Sequence, residues 1–150
     1  MFVNSLVYAT LLALAASTAP GRPDGAATAA KVKAAAVEDN AEIDGYYSCK
    51  GQEVGGKSYS GVCVISKKGE VYLVSWMIGS GSTFTGLGIR QGSTLAVSWA
   101  LPGDRGMVRG INLYTIQSGG RLAGRWATLP GPGMMQSETL TFLKALDQDD

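Results

Sequence analysis

Two cysteines, a set of aromatic rings and a few well-separated acids are the residues of this chain with chemistry to offer, and histidine is absent altogether. Without histidine, Ser-His-Asp and Cys-His catalysis are excluded, as are zinc sites that use imidazole. Two thiols cannot make a four-thiolate metal site. From Gly45 to Leu146 the acids are Glu53, Glu70, Asp104 and Glu138, spread over different turns and strands. A carboxylate pair of the glycosidase type would therefore need the fold to bring distant residues together. Neither a Walker loop nor a Gly-x-Ser-x-Gly elbow occurs. The residues imply no enzyme, no metal and no cofactor.

The cysteines suggest a structural bond. With a turn centred on Gly56, Cys49 and Cys63 become direct cross-strand partners, and a non-hydrogen-bonded antiparallel pair approaches closely enough for a disulfide. In an oxidising compartment that bond stabilises by about 2–3 kcal/mol. In a reducing compartment the same residues are two buried free thiols.

The elements that position these groups are short β-branched and aromatic runs separated by glycine-rich turns. Candidate strands are Tyr46–Lys50, Tyr59–Ser66, Val71–Ile78, Thr83–Ile89, Thr94–Ala100, Met107–Gln117, Leu122–Thr128 and Glu138–Leu143. Their close spacing, with no helix between them, predicts antiparallel hairpins in chain order. An all-β up-and-down meander of eight strands is thus expected, closed as a small calycin- or avidin-like barrel so that no edge is left exposed.

A repeat supports the pattern: Ser58-Tyr59-Ser60-Gly61-Val62 returns as Thr83-Phe84-Thr85-Gly86-Leu87, and Val74-Ser75-Trp76 as Val97-Ser98-Trp99. Two-residue loops at Lys68-Gly69 and Gly92-Ser93 set Gly61 opposite Trp76 and Gly86 opposite Trp99. Leu122-Ala123-Gly124-Arg125-Trp126 reads as a third glycine–tryptophan pairing. This register puts Tyr59, Gly61, Cys63 and Ile65 on one face with Tyr72, Val74, Trp76 and Ile78, and that face is assigned to the interior. Val62, Val64, Val71, Leu73 and Met77 on the other face are also apolar, so that face needs a cover, or else it is the interior.

Inward-facing rings at Tyr59, Tyr72, Trp76, Phe84, Trp99, Tyr114 and Trp126 either fill the barrel or line a mouth for one small apolar or aromatic ligand. The region from Gly45 to Leu146 carries ten Lys and Arg against four acids, although the whole chain is +1. Arg105 and Arg121, at turns, are the candidates for meeting an acidic partner. Nucleic acid is not expected, since no binding motif accompanies the charge.

Residues 2–19 contain no charge and end in small residues, with Ala13-Leu14-Ala15 and Ser17-Thr18-Ala19 as cleavage contexts, which is the layout of a secretory signal peptide. The alternative is an uncleaved membrane anchor. Residues 20–44 are Ala-rich and offer little to bury, as in a disordered linker. The domain then spans 45–146, followed by an acidic tail at 147–150. The location implied is secreted or periplasmic.

The succession Tyr47-x-Cys49-x-Gly51, Gly56-Lys57-Ser58-Tyr59-Ser60-Gly61, Gly69-Glu70-Val71-Tyr72-Leu73-Val74-Ser75-Trp76, Phe84-x-Gly86-x-Gly88-Ile89, Leu95-Ala96-Val97-Ser98-Trp99, Gly124-Arg125-Trp126 and Glu138-Thr139-Leu140-Thr141 resembles small exported bacterial proteins known as fibronectin-binding. The resemblance covers Gly45 to Leu143. It implies an exported β-barrel-like domain and a secreted, non-enzymatic module for an extracellular protein or matrix partner. It supplies no binding residues. Cys63 departs from it, standing where a β-branched residue is expected. Leu122-Ala123-Gly124-Arg125-Trp126 is also similar, in architecture alone, to strands of avidin-type barrels. A carrier of a small ligand, an envelope structural protein and a homo-oligomer are the other readings the sequence admits.

Overall fold

The computed structural model describes residues 41–79 and 81–147. The leader expected over 1–19, most of the linker expected over 20–44, and the last three residues of the acidic tail lie outside them. Eight strands follow one another: β1 (Gly45–Gln52), β2 (Ser58–Lys68), β3 (Val71–Ile78), β4 (Ser82–Gln91), β5 (Thr94–Gly103), β6 (Gly106–Gln117), β7 (Arg121–Leu129) and β8 (Gln136–Lys144). Each pairs antiparallel with the next, and β8 returns to pair with β1, closing the barrel. All eight expected strands are present, most of them three residues longer than their apolar centres, because ladder hydrogen bonds extend into the polar flanks.

The alternation of side chains sorts the strands into two faces. Tyr47 and Cys49, Cys63 and Ile65, Tyr72, Val74 and Trp76, Leu95, Val97 and Trp99, Tyr114 and Ile116, Leu122 and Leu140 point inward and form one buried core. The interior is therefore the expected face. Ile43 belongs to this core although it precedes β1, and its carbonyl accepts a 2.7 Å hydrogen bond from the Tyr47 hydroxyl. The folded unit thus begins slightly earlier than Gly45.

Two expected registers need correction, each by two residues. Lys68 pairs with Val71, so the β2–β3 loop is Gly69-Glu70 rather than Lys68-Gly69. A tight hairpin of this kind demands a positive φ at its first loop residue, and Gly69 supplies it at 64° where Lys68 would be strained. Gly61 consequently faces Ile78, and Trp76 faces Cys63. The β4–β5 loop, Gly92-Ser93, already has glycine first, and there Gly86 faces Trp99 as expected. In the first hairpin Gln52 pairs with Ser58, which sets Cys49 opposite Gly61 and Cys63 opposite Tyr47. The two cysteines are diagonal neighbours on the inner face rather than a direct pair, a separation too long for a disulfide, and both are free, buried thiols. A slip of two residues preserves the face each side chain occupies, so the inner set survives both corrections.

The hairpin order divides the loops between two ends. The β1–β2, β3–β4, β5–β6 and β7–β8 loops share one end, called here the mouth. The tight β2–β3 and β4–β5 turns, the β6–β7 turn and Ile43 occupy the other.

Outside, the barrel is unusually apolar. One cross-strand row runs Leu73–Leu87–Ser98–Ile111–Ala127, and the next runs Val71–Ile89–Ala96–Leu113–Arg125. Ile89 is 64% exposed and Leu113 55%.

Candidate functional site

Three glycines create the site, and they do so by the space they leave rather than by unusual backbone angles. In register, Gly51 faces Tyr59, Gly110 faces Trp99 and Gly124 faces Tyr114. A Cβ on Gly51 would lie 2.4 Å from the Tyr59 ring, one on Gly110 2.1 Å from the Trp99 indole, and one on Gly124 2.3 Å from the Tyr114 ring. Each ring therefore lies flat over bare backbone. Trp99 is thus in register with its expected partner Gly86 but lays its ring over Gly110, and Gly124 carries Tyr114 instead of Trp126. Gly51 and Gly124 also flank Glu138 of β8 on its two neighbouring strands. The two tyrosines they seat deliver their hydroxyls to that carboxylate from either side.

Glu138 is the centre of the arrangement, and it is 3% exposed. One carboxylate oxygen accepts from the Tyr59 hydroxyl at 2.6 Å and the Cys49 thiol at 3.1 Å. The other accepts from the Trp76 indole at 3.2 Å, the Asn112 amide at 3.2 Å and the Tyr114 hydroxyl. Asn112 donates its second amide hydrogen to the Tyr114 oxygen at 2.8 Å, and its carbonyl accepts from the Trp99 indole at 2.8 Å. Every group touching the carboxylate donates, which is the pattern an ionised, acceptor-only side chain requires. Among the described residues no lysine or arginine pairs with it. The charge is held by five hydrogen bonds to neutral donors.

Burial and the Glu138 charge act together on those donors. Desolvation first, and then the adjacent negative charge, push the Tyr59 and Tyr114 hydroxyls and the Cys49 thiol far above their ordinary values. Cys63 is raised for the same two reasons. All four remain protonated, so the hydroxyls and the Cys49 thiol act as hydrogen-bond donors and the thiols are poor nucleophiles.

Above this floor a cavity of about 410 Å³ lies at the mouth, bounded by Glu53 and Val54 of the β1–β2 loop and by Tyr59, Phe84, Trp99, Trp126 and Glu138 below. Phe84 stacks on Trp76 with centroids 5.0 Å apart and tilts against Trp99 at 4.9 Å. Tyr59 tilts against Trp126 at 6.4 Å. The Trp126 indole nitrogen is buried without a hydrogen bond. It lies close enough to the Tyr59 hydroxyl to favour that group's ionised form slightly, but outside hydrogen-bonding geometry.

Of the rings expected to bind, Tyr59, Phe84, Trp99 and Trp126 form the wall, and Trp76 and Tyr114 hold the carboxylate beneath it. Tyr72 does not join them. It lies toward the opposite end, beside Asp44, Lys67 and Arg90, because its place in β3 is next to the β2–β3 turn. Arg105 and Arg121 are exposed at opposite ends of the barrel, so they form no common patch. Glu138 and Asn112 were not singled out from the sequence. Their signal is parity: Asn112 shares the inward register of Gly110, Tyr114 and Ile116, and Glu138 that of Leu140.

No protein-family profile and no curated protein matches the chain. Among solved structures it is similar to a redesigned β-barrel, mFAP1, bound to DFHBI, with a TM-score of 0.50 and 16% identity over 66% of this chain and 94% of that one. At that identity the likeness is one of fold, and it agrees with the closed eight-stranded barrel.

Proposed function

We propose that the protein is a non-enzymatic barrel that holds one small apolar or aromatic molecule in its mouth. The observation that carries this reading is the cavity of about 410 Å³ walled by Tyr59, Phe84, Trp99 and Trp126 over a fixed polar floor. Rings that merely filled the core would leave no such space. A pocket of this size, mostly apolar with a few placed polar groups, is typical of small-molecule sites. The unpartnered Trp126 indole N–H is a donor that a ligand acceptor would satisfy. The similar barrel mFAP1 is itself bound to a small ligand.

Because two of the three tryptophans line the cavity, occupancy should alter their emission. The test is a tryptophan-emission titration against a broad panel of small aromatic and apolar compounds, with native mass spectrometry of the purified protein alongside. A saturable response in the wild type, weakened in Trp126→Phe for ligands that carry an acceptor, is expected. No response across the panel, with an empty native mass, would overturn the reading.

Capture of an extracellular protein, as the fibronectin-binding resemblance implies, is the second reading. The outer apolar rows through Leu87, Ile89, Ile111 and Leu113 favour it, since so much exposed apolar surface is uncommon on a solitary domain. In that reading export precedes binding, and the arginines contribute at separate ends.

A further inference from the structure

The charges of the barrel are distributed against chance. From Gly45 to Leu146 ten basic residues face four acids. Yet the mouth cavity is lined by two of those acids, Glu53 and Glu138, and by no lysine or arginine. A domain that is cationic elsewhere keeps this aromatic-walled mouth negative. Among the described residues the buried Glu138 carboxylate has no counter-cation, and a negative charge in a poorly solvated cavity acts strongly on whatever enters.

The hydrogen bonds refine the chemistry. A carboxylate has about four lone-pair sites, and Glu138 already accepts from five donors. It has charge to offer but no vacant acceptor position. A primary ammonium requires acceptors for its own N–H groups, and it would find none vacant on Glu138, only the side-chain oxygens of Glu53, Ser82 and Thr128 nearer the rim. A cation whose charge is covered by carbon has no such requirement, and it is attracted to aromatic ring faces as well as to the carboxylate.

From these observations we propose that the ligand of the mouth is a small organic cation without N–H donors, an alkylated ammonium or a delocalised aromatic cation. The inference rests on the small-ligand reading above. The rings of Tyr59, Phe84, Trp99 and Trp126 enclose the cation, Glu138 supplies the compensating charge through space, and Glu53 adds to it at the rim. The Trp126 N–H is left for a neutral acceptor elsewhere on the same molecule.

The test compares phenyltrimethylammonium with its uncharged carbon isostere, tert-butylbenzene, by tryptophan-emission titration of the wild-type protein. The two have nearly the same shape and differ in charge. The cation should bind at least about tenfold more tightly, as a desolvated cation–π site allows. Glu53→Gln, an exposed rim change that does not disturb the core, should weaken the cation about two- to threefold and leave the isostere unchanged. Equal or tighter binding of the isostere overturns the cation inference while the small-ligand reading stands. So does silence from both compounds when another, neutral member of the panel binds. Silence from every compound removes both.

Discussion

At the residue scale the barrel is organised around one carboxylate without a cation. Such a group is stable only while its donors stay protonated, and this makes stability a function of pH. The ordinary value is 9.0 for the thiols and 10.0 for the tyrosine hydroxyls, and in the folded protein Cys49, Cys63, Tyr59 and Tyr114 are all raised above it, chiefly by burial. Above about pH 9 the unfolded chain releases these protons and the folded one keeps them. The unfolded state is then favoured, and stability falls as pH rises. Below the ordinary values both states hold the protons, so these groups give no slope. Urea midpoints should therefore be flat with respect to these groups near neutrality and fall from about pH 9 upward, more steeply past 10. Tyrosinate absorbance should show Tyr59 and Tyr114 ionising only with global unfolding. A tyrosinate signal from them in the intact barrel would contradict the donor assignment.

At the element scale the strands are shaped by where glycine allows a ring to lie. Gly124 shows this most directly, since a Cβ there would lie 2.3 Å from the ring of the fully buried Tyr114. Gly124→Ala is expected to displace that ring, weaken its hydrogen bond to Glu138 and cost about 2–3 kcal/mol in urea unfolding, in the range of an overpacked core. Gly88→Ala is the control. Its Cβ would meet nothing nearer than 3.2 Å, the Leu95 and Val97 side chains at that distance and the Ala96 carbonyl at 3.3 Å, so shifts of a few tenths of an ångström suffice and the cost should be smaller, about 1 kcal/mol. Equal costs at the two positions would refute the special role of the glycine–ring pairs. Much of this level was legible in the sequence. Parity along Tyr72, Val74 and Trp76 placed the inner face correctly even though the assumed loop was off, because a shift of two leaves the face unchanged. The Gly69 turn is also legible, since the positive φ required of its first residue favours glycine over Lys68 there.

The site itself was less legible, for a reason that lies in closure. Cys49 and Glu138 are 89 residues apart, and they touch only because β8 returns to β1. No local spacing encodes that meeting. Parity with Tyr114 and Leu140 is the one local clue that Asn112 and Glu138 point inside, as polar residues among apolar neighbours. It could not say which strands would surround them. Tyr72 was misplaced for a similar reason. Sharing a face with Trp76 is a matter of parity, but sharing an end depends on which turn lies nearest.

At the scale of the whole molecule two apolar surfaces compete for explanation, one enclosed and one exposed. The inner one is closed around its own core, whereas Leu87, Ile89, Ile111 and Leu113 of the outer rows are each more than half exposed. Exposed apolar side chains contribute little to the folding of a single barrel, so replacing them should be nearly neutral. Double substitution of Ile89→Thr and Leu113→Thr, on either side of Ala96 in one row, is expected to change the unfolding free energy in urea by less than about 0.5 kcal/mol per site and to raise solubility. The same polar change inside, Val74→Thr at a fully buried residue, should cost about 1–3 kcal/mol, because its cross-strand partners Ile65 and Gly86 offer the hydroxyl no polar side chain. If the outer pair instead costs as much as the inner residue, that row is buried in the native particle, and unfolding would then depend on protein concentration if the cover is a second copy. A neutral outer pair that abolishes capture of an extracellular protein would assign the row to that partner.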